Sequence, residues 1–228
     1  MLPKDVMSNL ESWVDKGKDL VFEIRPKRTL KGLWHTIAKD RDALMDVPRW
    51  LIGKSLKTST IEAELPWMCF SATRWLEKQM TSDSRLFEFG SGGSTLFWSA
   101  RAGHVISVEH DAGWYEKVKM TLDEKRQNID YRLVDVDGSA DSSAYAKSIE
   151  NEEDGSLDFV VVDGIFRVEC LRAALPKVKP GGFLILDNSQ RKEYAEGIEE
   201  LSAYPKWEFE GITPTTVMLP RTTVWKIT

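Results

Sequence analysis

From about residue 86 onward the chain repeats one rhythm, strand then turn then helix, and this limits its fold more than any other feature. Short apolar runs, "RLFEF", "HVISVEH" (104–110), "IDYRLVDV" (129–136), "LDFVVVDG" (157–164) and "GGFLILDN" (181–188), alternate with stretches of helical spacing. "LDFVVVDG" is nearly all β-branched or aromatic up to its final turn, as a strand covered on both faces requires. Between the runs, "STLFWSARAG" reads as a helix capped by Gly103. In "AGWYEKVKMTLDEKRQN" Tyr115, Val118 and Leu122 share a face, and a short helix is expected around Tyr145. "FRVECLRAALPKV" places Val168, Leu171, Leu175 and Val178 at helical spacing, and "RKEYAEGIEELSAY" forms the next helix. Such alternation predicts right-handed βαβ units and a mainly parallel sheet with helices on both faces. The last two strand-like pieces, "WEFEGI" and "TTVWKIT", are separated only by residues 214–221. That is too short for a crossover helix, so they are expected to pair antiparallel.

The first sixty residues differ. Val6, Leu10, Trp13 and Val14 form one helical stripe, and Leu30, Leu33, Trp34, Ile37 and Leu44 a second, ended by Pro48. A third helix is predicted in "PWMCFSATRWLEKQM" (66–80), with Pro66 in its first turn. Residues 1–60 hold 12 Lys and Arg against 8 Asp and Glu, a net of +4, whereas the rest of the chain carries −9. This division predicts a helical extension over 1–60 and one α/β domain over 61–228. The overall charge of −5 argues against a generic nucleic-acid binder. With no apolar run near the ~20 residues of a membrane span, the chain is expected to be soluble and cytoplasmic. Cys69 and Cys170 form no C-x-x-C pair and are expected to be buried small apolar residues.

The turn after the first strand, Gly90-Ser91-Gly92-Gly93-Ser94-Thr95, asks which nucleotide the sheet holds. A nicotinamide-binding turn has G-x-G-x-x-G, but Thr95 stands where the third glycine belongs. The phosphate loop G-x-x-x-x-G-K-[ST] is absent. Glu109 ends the second strand 19 residues after Gly90, where an acid receives ribose hydroxyls.

Glu88-Phe89-Gly90-Ser91-Gly92-Gly93-Ser94, with an acid two residues before the first glycine, resembles the first motif of class I S-adenosylmethionine-dependent methyltransferases. Glu109 in "SVEHD", "VDG" after the fourth strand and "KPGGFLILDN" into the fifth extend the resemblance over about residues 61–228. It implies a Rossmann-like methyltransferase fold: an α/β architecture with a seven-stranded, mostly parallel sheet whose last strand is antiparallel. It further implies S-adenosylmethionine as cofactor, with Gly90, Ser91, Gly92 and Ser94 beneath its methionine part and Glu109 on the ribose. The cofactor's ammonium would find an acceptor in Glu88 or in carbonyls of the turn. His110 would lie near the adenine, and Asp135 or Asp137 would face the adenine amino group.

The sulfonium is already an electrophile, so the protein must align the acceptor and remove its proton. Asp163-Gly164-Ile165-Phe166 stands where base and glutamine methylases of this class carry N/D-P-P-Y/F, which favours a hydroxyl oxygen over a nitrogen. Asp163 ends the fourth strand, and Asp187 and Asn188 end the fifth, so all three are expected at the ligand-binding edge. They are the candidate catalytic residues. The trio is also similar to the metal site of catechol-type O-methyltransferases, with hard ligands suited to Mg²⁺ or another divalent cation. The lysine of those enzymes is missing, since Phe166 and Arg167 occupy its neighbourhood. Three readings stay open: a metal site, metal-free base catalysis by Asp163 or Asp187 with Asn188 orienting the acceptor, and a plain helix cap. Arg167 and Arg191 are either holders of an anionic substrate or exposed helix residues. The expected acceptor is a small molecule or carbohydrate. The alternatives are a non-catalytic S-adenosylmethionine-binding or partner-binding module, and a nucleic-acid methyltransferase working through the basic extension. That extension is read as a packing layer, a lid, a homodimer surface or, through "RPKRTLKGLWHTIAK", a peripheral membrane contact.

Overall fold

The computed structural model describes Asp46 and residues 59–134, 136, 143–214 and 220–228 of the 228-residue chain. The readings of the N-terminal extension therefore fall almost wholly outside the described residues, as do Asp135 and Asp137. The helix α1 (Phe70–Gln79) leads into β1 (Arg85–Phe89), α2 (Gly93–Ser99), β2 (His104–Glu109), α3 (Ala112–Lys125) and β3 (Ile129–Leu133). Then follow α4 (Ser143–Lys147), β4 (Leu157–Val162), α5 (Arg167–Ala174), β5 (Val178–Leu186), α6 (Ala195–Glu200), β6 (Lys206–Glu210) and β7 (Arg221–Lys226). The seven strands form one sheet in the order β3-β2-β1-β4-β5-β7-β6. The first five run parallel, and β7 is antiparallel to both β5 and β6. The antiparallel pairing of the two closing strands agrees with their short connection. Their order is new: β7 turns back between β5 and β6 rather than adding at the edge.

Alternation along the strands sorts the core into two layers. Phe87, Phe89, Ile106, Val108, Val160, Val162, Leu184 and Leu186 face a cluster closed by Tyr145, Leu171 and Leu201. Leu86, Val105, Phe159, Val161 and Ile185 face the opposite cluster with Leu76, Phe97 and Trp98. Because β4 is central and buried on both faces, no polar–apolar alternation marks it. Each such valine or leucine taken from water is worth about 1.5–3 kcal/mol. Trp75 of α1 anchors the far end of the sheet, with ring centroids 5.0 Å from Trp207, 5.3 Å from Phe183 and 5.7 Å from Phe209. Both cysteines are buried and free, as expected.

Two local expectations change. Pro66 is not in a first helical turn, because α1 begins only at Phe70. Gly103 is not a helix cap either: α2 ends at Ser99, and the Gly103 N–H donates to the Ser84 carbonyl at 3.0 Å. A Cβ there would lie 2.3 Å from the Ser82 carbonyl oxygen, so close backbone approach is what calls for glycine. No helix among the described residues is long and apolar enough to cross a membrane.

Candidate functional site

The strand order reverses between β1 and β4, and ligands of open α/β sheets bind beyond the carboxyl ends of the strands at such a point. Gly90 turns the chain there with φ of +89°, a region costly for any residue with a Cβ. Its N–H donates to the Val108 carbonyl at 2.9 Å, and a Cβ at Gly90 would come within 2.8 Å of the Gly164 main chain. The turn after β1 is thus pressed against the "VDG" turn after β4.

Glu109 carries the clearest polar geometry. Its Oε2 accepts from Ser91 N at 3.0 Å and from Ser91 Oγ at 2.9 Å, and its Oε1 accepts from the N–H groups of His110 and Asp111 at 2.8 and 3.0 Å. Ser91 is held in turn by Tyr131 Oη at 2.7 Å from its Oγ and by Trp114 Nε1, which donates to its carbonyl at 2.9 Å. The carboxylate at the end of β2 therefore grips the glycine turn directly. The His110 ring is half-exposed, with Nδ1 2.9 Å from Glu109 Oε1 and its plane edge-on to Tyr145 at 5.9 Å.

Glu88 faces elsewhere. Two residues from Leu86 on the same strand, it points under α2, and it has no exposed surface. Its Oε2 accepts from Thr95 Oγ1 at 2.6 Å and Ser107 Oγ at 2.8 Å, and its Oε1 accepts from Trp98 Nε1 at 3.0 Å. Thr95 Oγ1 also accepts from Gly92 N at 3.0 Å, so Glu88 fixes the turn from beneath through Thr95. The residue that breaks the nicotinamide fingerprint is the link between buried acid and glycine turn. Its three-residue spacing from Gly92 was the available signal. Ser94, beside it, is buried and turned to the same carboxyl group.

Burial pushes the Glu88 carboxyl up from 4.5 to about 7, against the pull of the Ser94, Thr95 and Ser107 hydroxyls and with a further push from Asp163. The folded protein thus holds this proton more tightly than the unfolded chain does. Stability from Glu88 is present in full below pH 4.5 and is lost as pH rises through about 7, by an amount on the order of 3 kcal/mol. Glu88→Gln should remove that dependence, since its amide can donate to the hydroxyls that the carboxylate accepts from. Urea unfolding at pH 5 and pH 8 should show the variant gaining on the wild type at the higher pH. A difference that does not change with pH would refute the reading.

At the ends of β4 and β5 the structure brings Asp163, Asp187 and Asn188 together, around a residue of different standing than expected. Arg167 is neither exposed nor free for an anion: it is buried, at 8% exposure. Its Nη2 donates to the Asp163 carbonyl at 2.7 Å, Nε to the Gly164 carbonyl at 2.8 Å and Nη1 to the Asp187 carbonyl at 2.6 Å. The same Nη2 stands 3.0 Å from Asp163 Oδ1. Arg191 is half-exposed, with Nη1 3.4 Å from the Tyr194 hydroxyl and 3.7 Å from Glu193.

Asp187 is buried. Its Oδ1 accepts from Thr222 Oγ1 at 2.6 Å and its Oδ2 from Asn188 Nδ2 at 2.7 Å, with Asn188 in the left-handed region at φ of +54°. Burial, and then the nearby Asp163, push Asp187 up to about 7, while Thr222 and Arg167 pull against them. Burial also raises Asp163 above the ordinary carboxyl value, opposed by Arg167. Asp163 keeps 24% of its side chain exposed and is the accessible acid of the pair.

These donors do not fit a divalent cation. Both oxygens of Asp187 already accept hydrogen bonds, Asn188 offers its amide N–H₂ inward, and a guanidinium stands 3.0 Å from Asp163. A cation bound by these oxygens would have to displace that guanidinium. No group of three His, Cys, Asp or Glu able to hold a metal occurs among the described residues.

No family model and no curated protein matches the chain. Solved structures do resemble it. An rRNA methylase from Streptococcus thermophilus superimposes with a TM-score of 0.54 at 12% identity, covering 69% of this chain and 95% of that one. SMU.1697c from Streptococcus mutans, solved in complex with SAH, gives 0.52 at 12% identity over 69% and 96%. The tRNA (m1A58) methyltransferase TrmI from Aquifex aeolicus gives 0.52 at 14% identity over 68% and 67%. The fold is that of the class I S-adenosylmethionine-dependent methyltransferases, with the glycine turn, the β2 acid and the β4–β5 acids at the carboxyl edge of its parallel strands.

Proposed function

We propose that this protein transfers a methyl group from S-adenosylmethionine to a hydroxyl oxygen of a small molecule or carbohydrate. The observation that carries the proposal is Glu109 at the end of β2, both of whose oxygens collect donors beside the glycine turn. A ribose diol offers two O–H donors that could take the place of the Ser91 N–H and hydroxyl. Gly90 and Gly164 leave main chain, not side chain, facing the switch point, and a Cβ at either would fill the seam between them. Bound there, the cofactor supplies an electrophilic methyl carbon.

Asp163 is the base we assign. It is the exposed member of the acid pair, and burial raises its pKa toward the range a general base needs. It takes the proton of the acceptor hydroxyl. The oxygen then bonds the methyl carbon as the carbon–sulfur bond breaks, its electron pair going to sulfur. Asp187 stays behind the edge with Thr222 and Asn188, and Arg167 holds Asp163 in place. No step runs through a metal.

Calorimetric titration with S-adenosylmethionine tests the first part. Wild type should bind, Glu109→Ala should bind about 100-fold more weakly given two lost charged hydrogen bonds, and Mg²⁺ should change neither result. A folded wild type that binds nothing would overturn the proposal. Asp163→Asn should retain cofactor affinity and lose about 10²-fold or more in turnover on a hydroxyl acceptor, read as S-adenosylhomocysteine release across a panel of sugars and phenols. A second reading has a specific basis: two of the similar structures are named for RNA substrates, and residues 1–60 carry +4. Binding of RNA by the full chain that falls steeply with salt would favour it.

A further inference from the structure

The turn that leaves β5 carries a cation on a fixed backbone. From one side β7 holds it: the Ser189 N–H donates to the Arg221 carbonyl at 2.8 Å, Thr223 Oγ1 donates to Ser189 Oγ at 2.7 Å, and the Arg221 N–H donates to Gln190 Oε1 at 2.8 Å. Within the turn, the Arg191 N–H donates to the Asn188 carbonyl at 3.0 Å, and the Tyr194 N–H to the Arg191 carbonyl at 3.2 Å. Arg191 is thereby placed just beyond Asp187 and Asn188, on the edge that also holds Asp163. Its guanidinium is held far less firmly. It is half-exposed, donates one long bond of 3.4 Å to the Tyr194 hydroxyl and stands 3.7 Å from Glu193, an exposed pair of the kind that contributes little. The Tyr194 ring lies 5.5 Å from Arg167 Cζ, and Arg167 in turn faces Asp163 Oδ1 at 3.0 Å. Arg191 is therefore one aromatic ring removed from the guanidinium that holds the accessible acid. Its charge acts on the Asp163 carboxyl, pulling against the rise that burial causes. Such effects fade beyond about 10 Å, so one small molecule can reach both groups.

We propose that Arg191 sets acceptor choice by binding an oxyanion, a carboxylate or phosphate, of the same molecule whose hydroxyl is presented to Asp163. This rests on the methyltransferase reading above and narrows its acceptor to an anionic hydroxy compound. A neutral acceptor gains nothing from the cation. An anionic one needs it, because Glu109, Asp163 and Asp187 otherwise make that edge acidic. The planar fork of a guanidinium gives an oxyanion two parallel donors, which a weak pair with Glu193 does not prevent.

The test compares wild type with Arg191→Gln on matched acceptors: glucose against glucuronate and glucose 6-phosphate, and phenol against 4-hydroxybenzoate, read as S-adenosylhomocysteine release. In wild type the anionic members should have the lower KM, and the carboxylate and phosphate members show which oxyanion fits. Arg191→Gln should raise KM for the anionic members about tenfold, leave kcat and the neutral members unchanged, and melt with wild type. Arg221→Gln, a half-exposed control 3.7 Å from Glu210 of β6, should leave every KM as it was. Inorganic phosphate titrated into the S-adenosylhomocysteine complex should likewise bind Arg191→Gln more weakly, and this arm decides alone if no acceptor of the panel is turned over. Neutral members used as well as anionic ones, an equal loss on both kinds, the same loss in Arg221→Gln, or phosphate bound equally by wild type and Arg191→Gln would each overturn the role of Arg191. Wild type that binds no S-adenosylhomocysteine overturns the methyltransferase reading itself, a separate result.

Discussion

Arg167→Met should destabilise the protein by about 3–5 kcal/mol, the range for removing one partner of a buried ion pair. The guanidinium is the shared donor for three carbonyls, of Asp163, Gly164 and Asp187, and it faces the Asp163 carboxylate at 3.0 Å. Methionine would fill much of the volume and strand all four acceptors. Lysine should rescue little, because one ammonium on a flexible stem cannot span two strand ends as a planar fork does. Urea unfolding followed by far-UV circular dichroism would measure the loss. Adding Asp163→Asn to Arg167→Met should cost less than the sum of the single changes, since the second removes the carboxylate left unpaired by the first. A loss below about 1 kcal/mol for Arg167→Met would show that the clamp contributes nothing beyond packing.

Gly164→Ala should be nearly as damaging, at the upper end of the ~1–3 kcal/mol typical of overpacking. The added Cβ meets Tyr145 Oη at 2.1 Å, Tyr145 Cζ at 3.0 Å and Gly90 N at 3.1 Å, so neither turn nor ring can stay where it is. Tyr145→Phe should recover part of the loss by removing the nearest atom, while the ring contact keeps the remainder. Thermal melts of the two single variants and the double variant would test this coupling. Simple additivity would mean that Gly164 and Tyr145 do not meet as described. The seam the two residues share lies where the β1 and β4 turns meet, beside the proposed cofactor site.

Some of this was open to reading from the chain alone. Strands β1, β2, β4 and β5 announced themselves because strands buried on both faces must be runs of β-branched and aromatic residues, and their ends carried the acids of interest. The glycines from position 90 marked a turn open to close approach, and the brief spacer before the last strand required an antiparallel return. Each of these depends on neighbours within a few residues, and local chemistry is what a sequence records directly. Pro66 and Gly103 show the limit even there. Both suit helix ends by residue type, yet tertiary contacts set the ends elsewhere.

Other features depended on residues brought together by the crossovers. Glu88 sits on the face that α2 covers, so Thr95, Trp98 and Ser107 enclose it; nothing within "RLFEF" says which layer that face meets. Arg167 reads as an ordinary helix arginine until β4 and β5 lie side by side and present it with three carbonyls, one of them from 20 residues away. Thr222 reaches Asp187 across 35 residues only because β7 inserts beside β5. The sequence by itself determined the elements, the parallel sheet and the glycine turn, because these follow from periodicity and backbone freedom. The tertiary structure alone decided which acids face inward, which one remains accessible and what occupies the guanidinium, because burial and hydrogen bonding are set by what the fold packs against each side chain.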